Sequence, residues 1–158
     1  MIGKIVERKA TNKDAAEIQR VVLNVLEEYG LKPDLEGTDR DITDIEAHYL
    51  NRGGVFEVIE DPNGSIIGTV GLFPIDSETV ELRKMYFLKE LRGKGVGKKL
   101  LSRMIETAKN LGFKTISLET ASVLKEAIGL YEKFGFAKIN ENHTPRCDVA
   151  YKLDISGK

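Results

Sequence analysis

With 158 residues, the chain is long enough for one domain with a buried core. Its 41% hydrophobic and 31% charged composition excludes a disordered polymer, and a net charge of −1 excludes any overall pull towards nucleic acid or anionic membrane. One cysteine, Cys147, excludes an intramolecular disulfide framework, and the absence of a signal-like or membrane-spanning apolar run points to a cytoplasmic protein forming a single domain over residues 1–158.

Residues 4–9 predict a short first strand. Ile18, Val21, Val22, Val25, Leu26 and Tyr29 recur at helical spacing and predict a helix over 12–29, capped by Thr11 or Asn12 and ended by Gly30. A weaker helical pattern runs over 39–50. Strands follow over 55–60 and 65–73, joined by the turn Asp61-Pro62-Asn63-Gly64, and a third covers 79–88. Val96, Leu100, Leu101, Met104, Ile105 and Ala108 mark one face of a helix over 96–110. A strand over 114–120, a helix over 124–134 stopped by Gly135, and two strands near 136–140 and 147–155 complete the chain. The order β-α-α-β-β-β-α-β-α-β-β predicts an α/β (α+β) fold, with a mixed central sheet of about seven strands and helices on both faces.

The strand over 79–88 changes phase. Val80 and Leu82 are apolar on even positions, Met85 and Phe87 on odd ones. A slip of one residue around Arg83-Lys84 predicts a β-bulge, unless the strand is buried on both faces and phase carries no meaning.

Charge is unevenly placed. Residues 89–103 hold six basic groups and one acid, a local +5, whereas residues 27–46 hold eight acids and two bases, a local −6. Inside the basic stretch lies Arg92-Gly93-Lys94-Gly95-Val96-Gly97, between a strand and a strong helix. Free N–H groups at a helix start, glycines that let backbone approach an oxyanion, and the charges of Arg92, Lys94 and Lys98 together suit a phosphate or pyrophosphate. A dinucleotide fingerprint counted from Gly93 needs glycine where Lys98 stands. A Walker A loop needs glycine at Arg92 and Ser or Thr at Lys99. Arg-x-x-Gly-x-Gly fits 92–97.

That pattern resembles the GNAT superfamily of acyl-CoA N-acyltransferases. Residues 81–87, the loop, Leu100-Leu101, Glu119-Thr120, Ala127, Leu130 to Lys133 and Gly135-Phe136 resemble the family's fourth strand to its fourth helix and the strand beyond, over about residues 79–139. The resemblance implies acetyl-CoA as co-substrate, no metal, and a pyrophosphate held by Arg92, Gly93, Lys94, Gly95, Val96, Gly97 and Lys98. It implies a pantetheine arm paired to the backbone of Met85, Tyr86 and Phe87, with an N–H near Met85 as a donor to the thioester oxygen. Tyr131 matches the tyrosine that protonates the leaving thiolate, although its spacing also suits core packing. Glu81 matches an acidic base for the amine, although an ion pair with Arg83 explains it equally. The chain departs from the family at Leu124, where many members carry an asparagine that contacts coenzyme A.

The acceptor implied is a primary amine, on a small molecule or a peptide. If the acidic 27–46 segment covers the acceptor side, cationic amines are favoured; an amino acid held through Arg52 or Arg146 is the other reading. A non-catalytic acyl-CoA sensor would keep the loop but not need Glu81 or Tyr131. His48 and His143 lack metal spacing, and Cys147, alternating with apolar residues, predicts a buried thiol rather than a nucleophile. The well-patterned last strand offers an edge for a homodimer.

Overall fold

The computed structural model describes residues 4–140 and 146–157; His143 lies outside them. Seven strands form one sheet in the order β1-β2-β3-β4-β5-β7-β6. They are β1 Val6–Lys9, β2 Val55–Glu60, β3 Ile66–Pro74, β4 Thr79–Phe87, β5 Thr115–Thr120, β6 Ala137–Ile139 and β7 Val149–Asp154. Neighbours are antiparallel except β4 and β5. The helices are α1 Ala15–Glu28, α2 Ile45–His48, α3 Val96–Asn110 and α4 Lys125–Lys133.

Two cores flank the sheet. Ile18, Val21, Val22 and Leu26 of α1 pack with Ile42, Ile45, Tyr49, Phe56, Val58 and Ile66 on one face. Leu100, Leu101, Met104 and Ala108 of α3 pack with Val80, Leu82, Met85, Ile116, Leu118 and Tyr131 on the other. The amphipathic spacing of each helix therefore selects its face. A capping box starts the α1 region: Lys13 N–H donates to Thr11 Oγ1 at 3.3 Å, and Thr11 N–H donates to Asp14 Oδ2 at 3.0 Å.

The helix expected over 39–50 is instead three short pieces: a 3₁₀ turn at Arg40–Thr43, the single turn of α2, and a 3₁₀ turn at Leu50–Arg52. Asp44 breaks the run by capping α2 at the Ala47 N–H, at 3.0 Å. Asp39 and Asp41 turn inward, to 0% and 3% exposure, which a solvated helix face would not allow. Cys147 is half-buried rather than buried.

The bulge in β4 is present. Thr69 pairs with Tyr86 and Gly71 with Arg83, so Lys84 and Met85 share the place opposite Val70. Lys84 has φ of 55°, in the left-handed region that L side chains rarely adopt. Its carbonyl accepts a buried hydrogen bond from Thr69 Oγ1 at 2.7 Å. The apolar phase slip thus has a backbone cause. Val80 and Leu82 face α3 and α4, Arg83 and Lys84 face the α1 side, and Met85 returns to the α3 side.

Candidate active site

β4 and β5 pair only from Thr79 with Thr115 to Glu81 with Ser117. Beyond Glu81 the two parallel strands part, and among the described residues β4 from Leu82 to Phe87 has no partner strand on that side. A cleft of about 350 Å³ opens there. Met85, Tyr86, Phe87, Arg92, Gly93, Gly95, Val96, Gly97 and Lys98 line it, with Val25 and Tyr29 from α1 and Leu124, Ala127 and Leu130 from the α4 region. Of the residues expected to hold a cofactor, only Lys94 is not in the lining; it stands exposed on the loop.

The loop is built for its amides. Gly93 and Gly95 have φ of 75° and 76°, which glycine adopts without the Cβ clash that other residues meet. These two turns swing the chain into α3, whose N-cap is Gly95. Among the described residues, none of the backbone N–H groups from Gly93 to Lys98 has an acceptor; the first helical bond is Lys99 N–H to the Gly95 carbonyl at 3.2 Å. Six consecutive donors, at the positive end of a 15-residue helix, form a site for an anion with many oxygens.

Arg92 is placed differently from its lysine neighbours. Its guanidinium forms a bidentate pair with Glu28 of α1, with NH2 2.8 Å from Oε1, and donates to the Phe87 carbonyl from Nε at 3.0 Å and NH2 at 2.7 Å. It thereby ties α1, the end of β4 and the loop together, and it occupies the Phe87 carbonyl. The Glu28 hydrogen bonds hold that carboxyl below its ordinary range. Lys94, Lys98 and Lys99 are exposed and have no ion pair among the described residues.

Tyr131 projects from α4 into the α3-side core, with ring centroids 5.7 Å from Phe136 and 6.4 Å from Tyr151. Its hydroxyl has no hydrogen-bond partner among the described residues. Burial above all, then the neighbouring Tyr86 and Cys147, pushes the phenol above its ordinary range. Burial likewise pushes Tyr86 up to about 12. Both phenols stay protonated at neutral pH.

Glu81 stands at the last paired position of β4, on the α1 face, opposite Phe73 of β3. Arg83 Nε donates to its Oε1, so the ion pair is present. Oε2 has no partner among the described residues. Glu81 therefore stands on the α1 face where the strands part, next to the unpaired backbone of β4 that borders the cleft.

The acidic segment does not line that face as a set of free carboxylates. Asp39 holds Arg146 through two bonds of 2.7 Å and lies 3.3 Å from Lys84 Nζ. Asp41 lies 3.1 Å from Lys84 Nζ and accepts from the Tyr49 hydroxyl. Burial raises the Asp39 carboxyl, but the Arg146 bonds and the Lys84 charge outweigh it and hold the group below its ordinary range. Burial and the Asp41 charge push the Tyr49 phenol far up. Asp44 and Glu46 bind backbone and side-chain groups of Ala47 and Asn12. Lys84, buried at the bulge, was the residue that patterning missed. The available signal was a lysine in a strand of alternating apolar residues.

Among the described residues, a seven-stranded sheet parts at its one parallel junction, with a row of amides lacking acceptors nearby, a geometry suited to an anion laid beside an exposed strand. The description of the acetyltransferase (GNAT) family matches residues 20–136, and the chain belongs to that family of acyltransferases. YjgM of Escherichia coli (strain K12), an uncharacterized N-acetyltransferase, is 41% identical over 140 residues, covering 85% of this chain and 83% of its own. A GNAT-family acetyltransferase of Staphylococcus aureus Mu50 has a TM-score of 0.89 at 27% identity, covering 96% of this chain and 99% of its own. The yncA protein of Salmonella typhimurium, solved with its cofactor acetyl-CoA, has a TM-score of 0.72 at 25% identity, covering 97% and 95% respectively. Among the described residues, no group of His, Cys, Asp and Glu could hold a metal ion, and no helix is long and apolar enough to cross a membrane.

Proposed function

We propose that the chain transfers an acetyl group from acetyl-CoA to a primary amine, by direct attack with both substrates bound. The observation that carries this reading is the row of six N–H groups from Gly93 to Lys98 without acceptors among the described residues, on a loop that lines a cleft running on to Met85, Tyr86 and Phe87 of β4. The residues present fit such a donor. A diphosphate offers several anionic oxygens to a helix start, Lys94 and Lys98 add charge, and the cleft volume lies in the ordinary range for small-molecule sites.

Acetyl-CoA supplies an activated acyl group, a thioester carbonyl, at the end of a long polar arm. Met85 and Tyr86 offer it backbone groups as an added strand would, and an N–H near Met85 acts as donor to the carbonyl oxygen. Phe87 contributes its ring, since Arg92 occupies its carbonyl. Glu81, through its free Oε2 or through a water, takes the proton that the ammonium must lose before the nitrogen can attack. A carbon–nitrogen bond forms as the carbon–sulfur bond breaks, and Tyr131 gives its proton to the departing sulfur. Its raised pKa keeps that proton available across the neutral range.

A thiol-release assay with acetyl-CoA against a panel of amines tests the reading. Tyr131→Phe and Glu81→Gln are each expected to lower kcat by about 100-fold while coenzyme A affinity by calorimetry stays unchanged. Glu81→Gln should recover as pH rises and the free amine becomes abundant. A Glu81→Gln variant whose deficit is the same at every pH would remove the base assignment.

A further inference from the structure

Among the described residues, Arg52, Arg83, Lys84 and Arg146 gather with Asp39, Asp41 and Glu81 on the α1 face of β4. Asp39 takes Arg146 and Lys84, Asp41 takes Lys84, the Tyr49 hydroxyl and, at 3.9 Å, Arg83, and Glu81 takes Arg83. Arg52 has no carboxylate partner among the described residues. Its guanidinium donates to the Pro74 carbonyl, at 3.2 Å, and lies 4.5 Å from the centroid of the Phe73 ring. Arg83 lies against the same ring, at 3.7 Å. Phe73 pairs across the sheet with Glu81, so the ring, both guanidiniums and the candidate base form one cluster at the parting of β4 and β5.

Stacking fixes a guanidinium in plane and leaves its edge N–H groups free. The Arg83 side chain is 29% exposed; its Nε is committed to Glu81 and its Nη1 lies 3.9 Å from Asp41 Oδ2, which leaves Nη2 as the donor without a partner among the described residues. Two like charges brought to one ring repel, and a third charge of opposite sign on the open side relieves them. Arginine presents the paired donors that a carboxylate accepts two at a time. The buried Asp39 and Asp41 cannot serve a cationic acceptor, because each is already held by cations inside the protein.

We propose that Arg52 and Arg83, stacked on Phe73, form a subsite for the carboxylate of the acceptor, which is therefore an amino acid. The proposal rests on the acetyl-transfer reading above and names the substrate class for that site. Because Arg83 is hydrogen-bonded to Glu81, cation and base lie side by side. An acceptor whose amine meets Glu81 brings a carboxylate one or two carbons away onto the guanidiniums. An extended polyamine would place its second charge against them.

The experiment uses the full chain, acetyl-CoA and a panel of amino acids, each beside its own amide and its decarboxylated amine. The acid is expected to exceed its amide and its amine in kcat/KM by at least about tenfold. Arg52→Gln should raise KM for the acid by about tenfold or more, with kcat and coenzyme A affinity nearly unchanged and discrimination against the amide lost. Arg52 is exposed, so thermal melting should show the variant as stable as the parent. Equal turnover of acids and amides, or a KM for the acid that Arg52→Gln does not move, overturns the subsite and leaves acetyl transfer standing. No acceptor-dependent thiol release with any amine overturns the transfer reading, and the subsite with it.

Discussion

The basic segment 89–103 and the acidic segment 27–46 stand out equally in the sequence, one at a local +5 and the other at −6. The fold treats them differently. Around the loop, Lys94, Lys98 and Lys99 stay exposed beside six N–H groups that have no acceptor among the described residues. In the acidic segment, Asp39 and Asp41 are buried against Lys84, Arg146 and Tyr49, and Glu28 is paired with Arg92. One concentration of charge stays open beside the loop amides; much of the other holds the protein together. The difference lies in what the backbone does. Left-handed glycines and a helix start keep the loop's donors from finding internal partners. A chain of short turns lets aspartates point inward.

Breaking the inner network gives the largest expected effect. Asp39→Ala leaves Arg146 buried without the carboxylate that holds it and Lys84 with Asp41 alone, and removing one partner of a buried pair costs about 3–5 kcal/mol. Urea titration should show that loss, and melting should fall by about 2–4 °C for each kcal/mol. Glu36→Ala, an exposed acid of the same segment, should stay within about 0.5 kcal/mol and leave acceptor KM unchanged. If Glu36→Ala raised acceptor KM, the segment would be a cation-gathering surface after all.

The outward region is probed through its backbone. Gly95→Val places a β-branched residue at φ of 76°, where strain forces the turn to relax and the amides of Val96 to Lys98 to turn away. Calorimetry with coenzyme A should show an affinity loss of about 100-fold, or about 2.7 kcal/mol, with circular dichroism unchanged. Lys94→Gln keeps the turn and removes one exposed charge, so its loss should be no more than about threefold and should shrink with salt. Equal losses in the two variants would assign the site to side-chain charge rather than to backbone donors.

How much of this was legible follows the same division. Local signals were readable: helical stripes in α1 and α3, the Asp61 turn, and the loop glycines, because each is a short-range constraint on backbone geometry. The phase slip at Arg83-Lys84 even located the bulge, since a register shift must appear as a shift of apolar parity. Partnership was not readable. Nothing in residues 39–41 says that Lys84 and Arg146 will come to meet them from 43 or more residues away, or that Arg92 will take Glu28 across a separation of 64. Those pairs depend on sheet order, which brings β4 under the 34–43 segment. The helix expected over 39–50 failed for the same reason: tertiary ion pairs outweighed a weak local periodicity.

The two regions meet at one pair, Arg92 with Glu28, where a small effect is expected. Glu28 lies near the surface, so its bond to Arg92 is screened and worth at most about 1 kcal/mol. The hydrogen bonds from Arg92 depress its folded pKa, so the stabilisation is fully present above the ordinary carboxylate range and is lost as pH falls through the depressed folded value. Glu28→Gln removes that titration. The stability advantage of the parent over Glu28→Gln should therefore be constant near neutrality and shrink as acid is added. Paired urea titrations between neutral and acidic pH measure it. An advantage that grew in acid would mean that Glu28 stabilises the fold in its protonated form, and that Arg92 holds the loop through the Phe87 carbonyl alone.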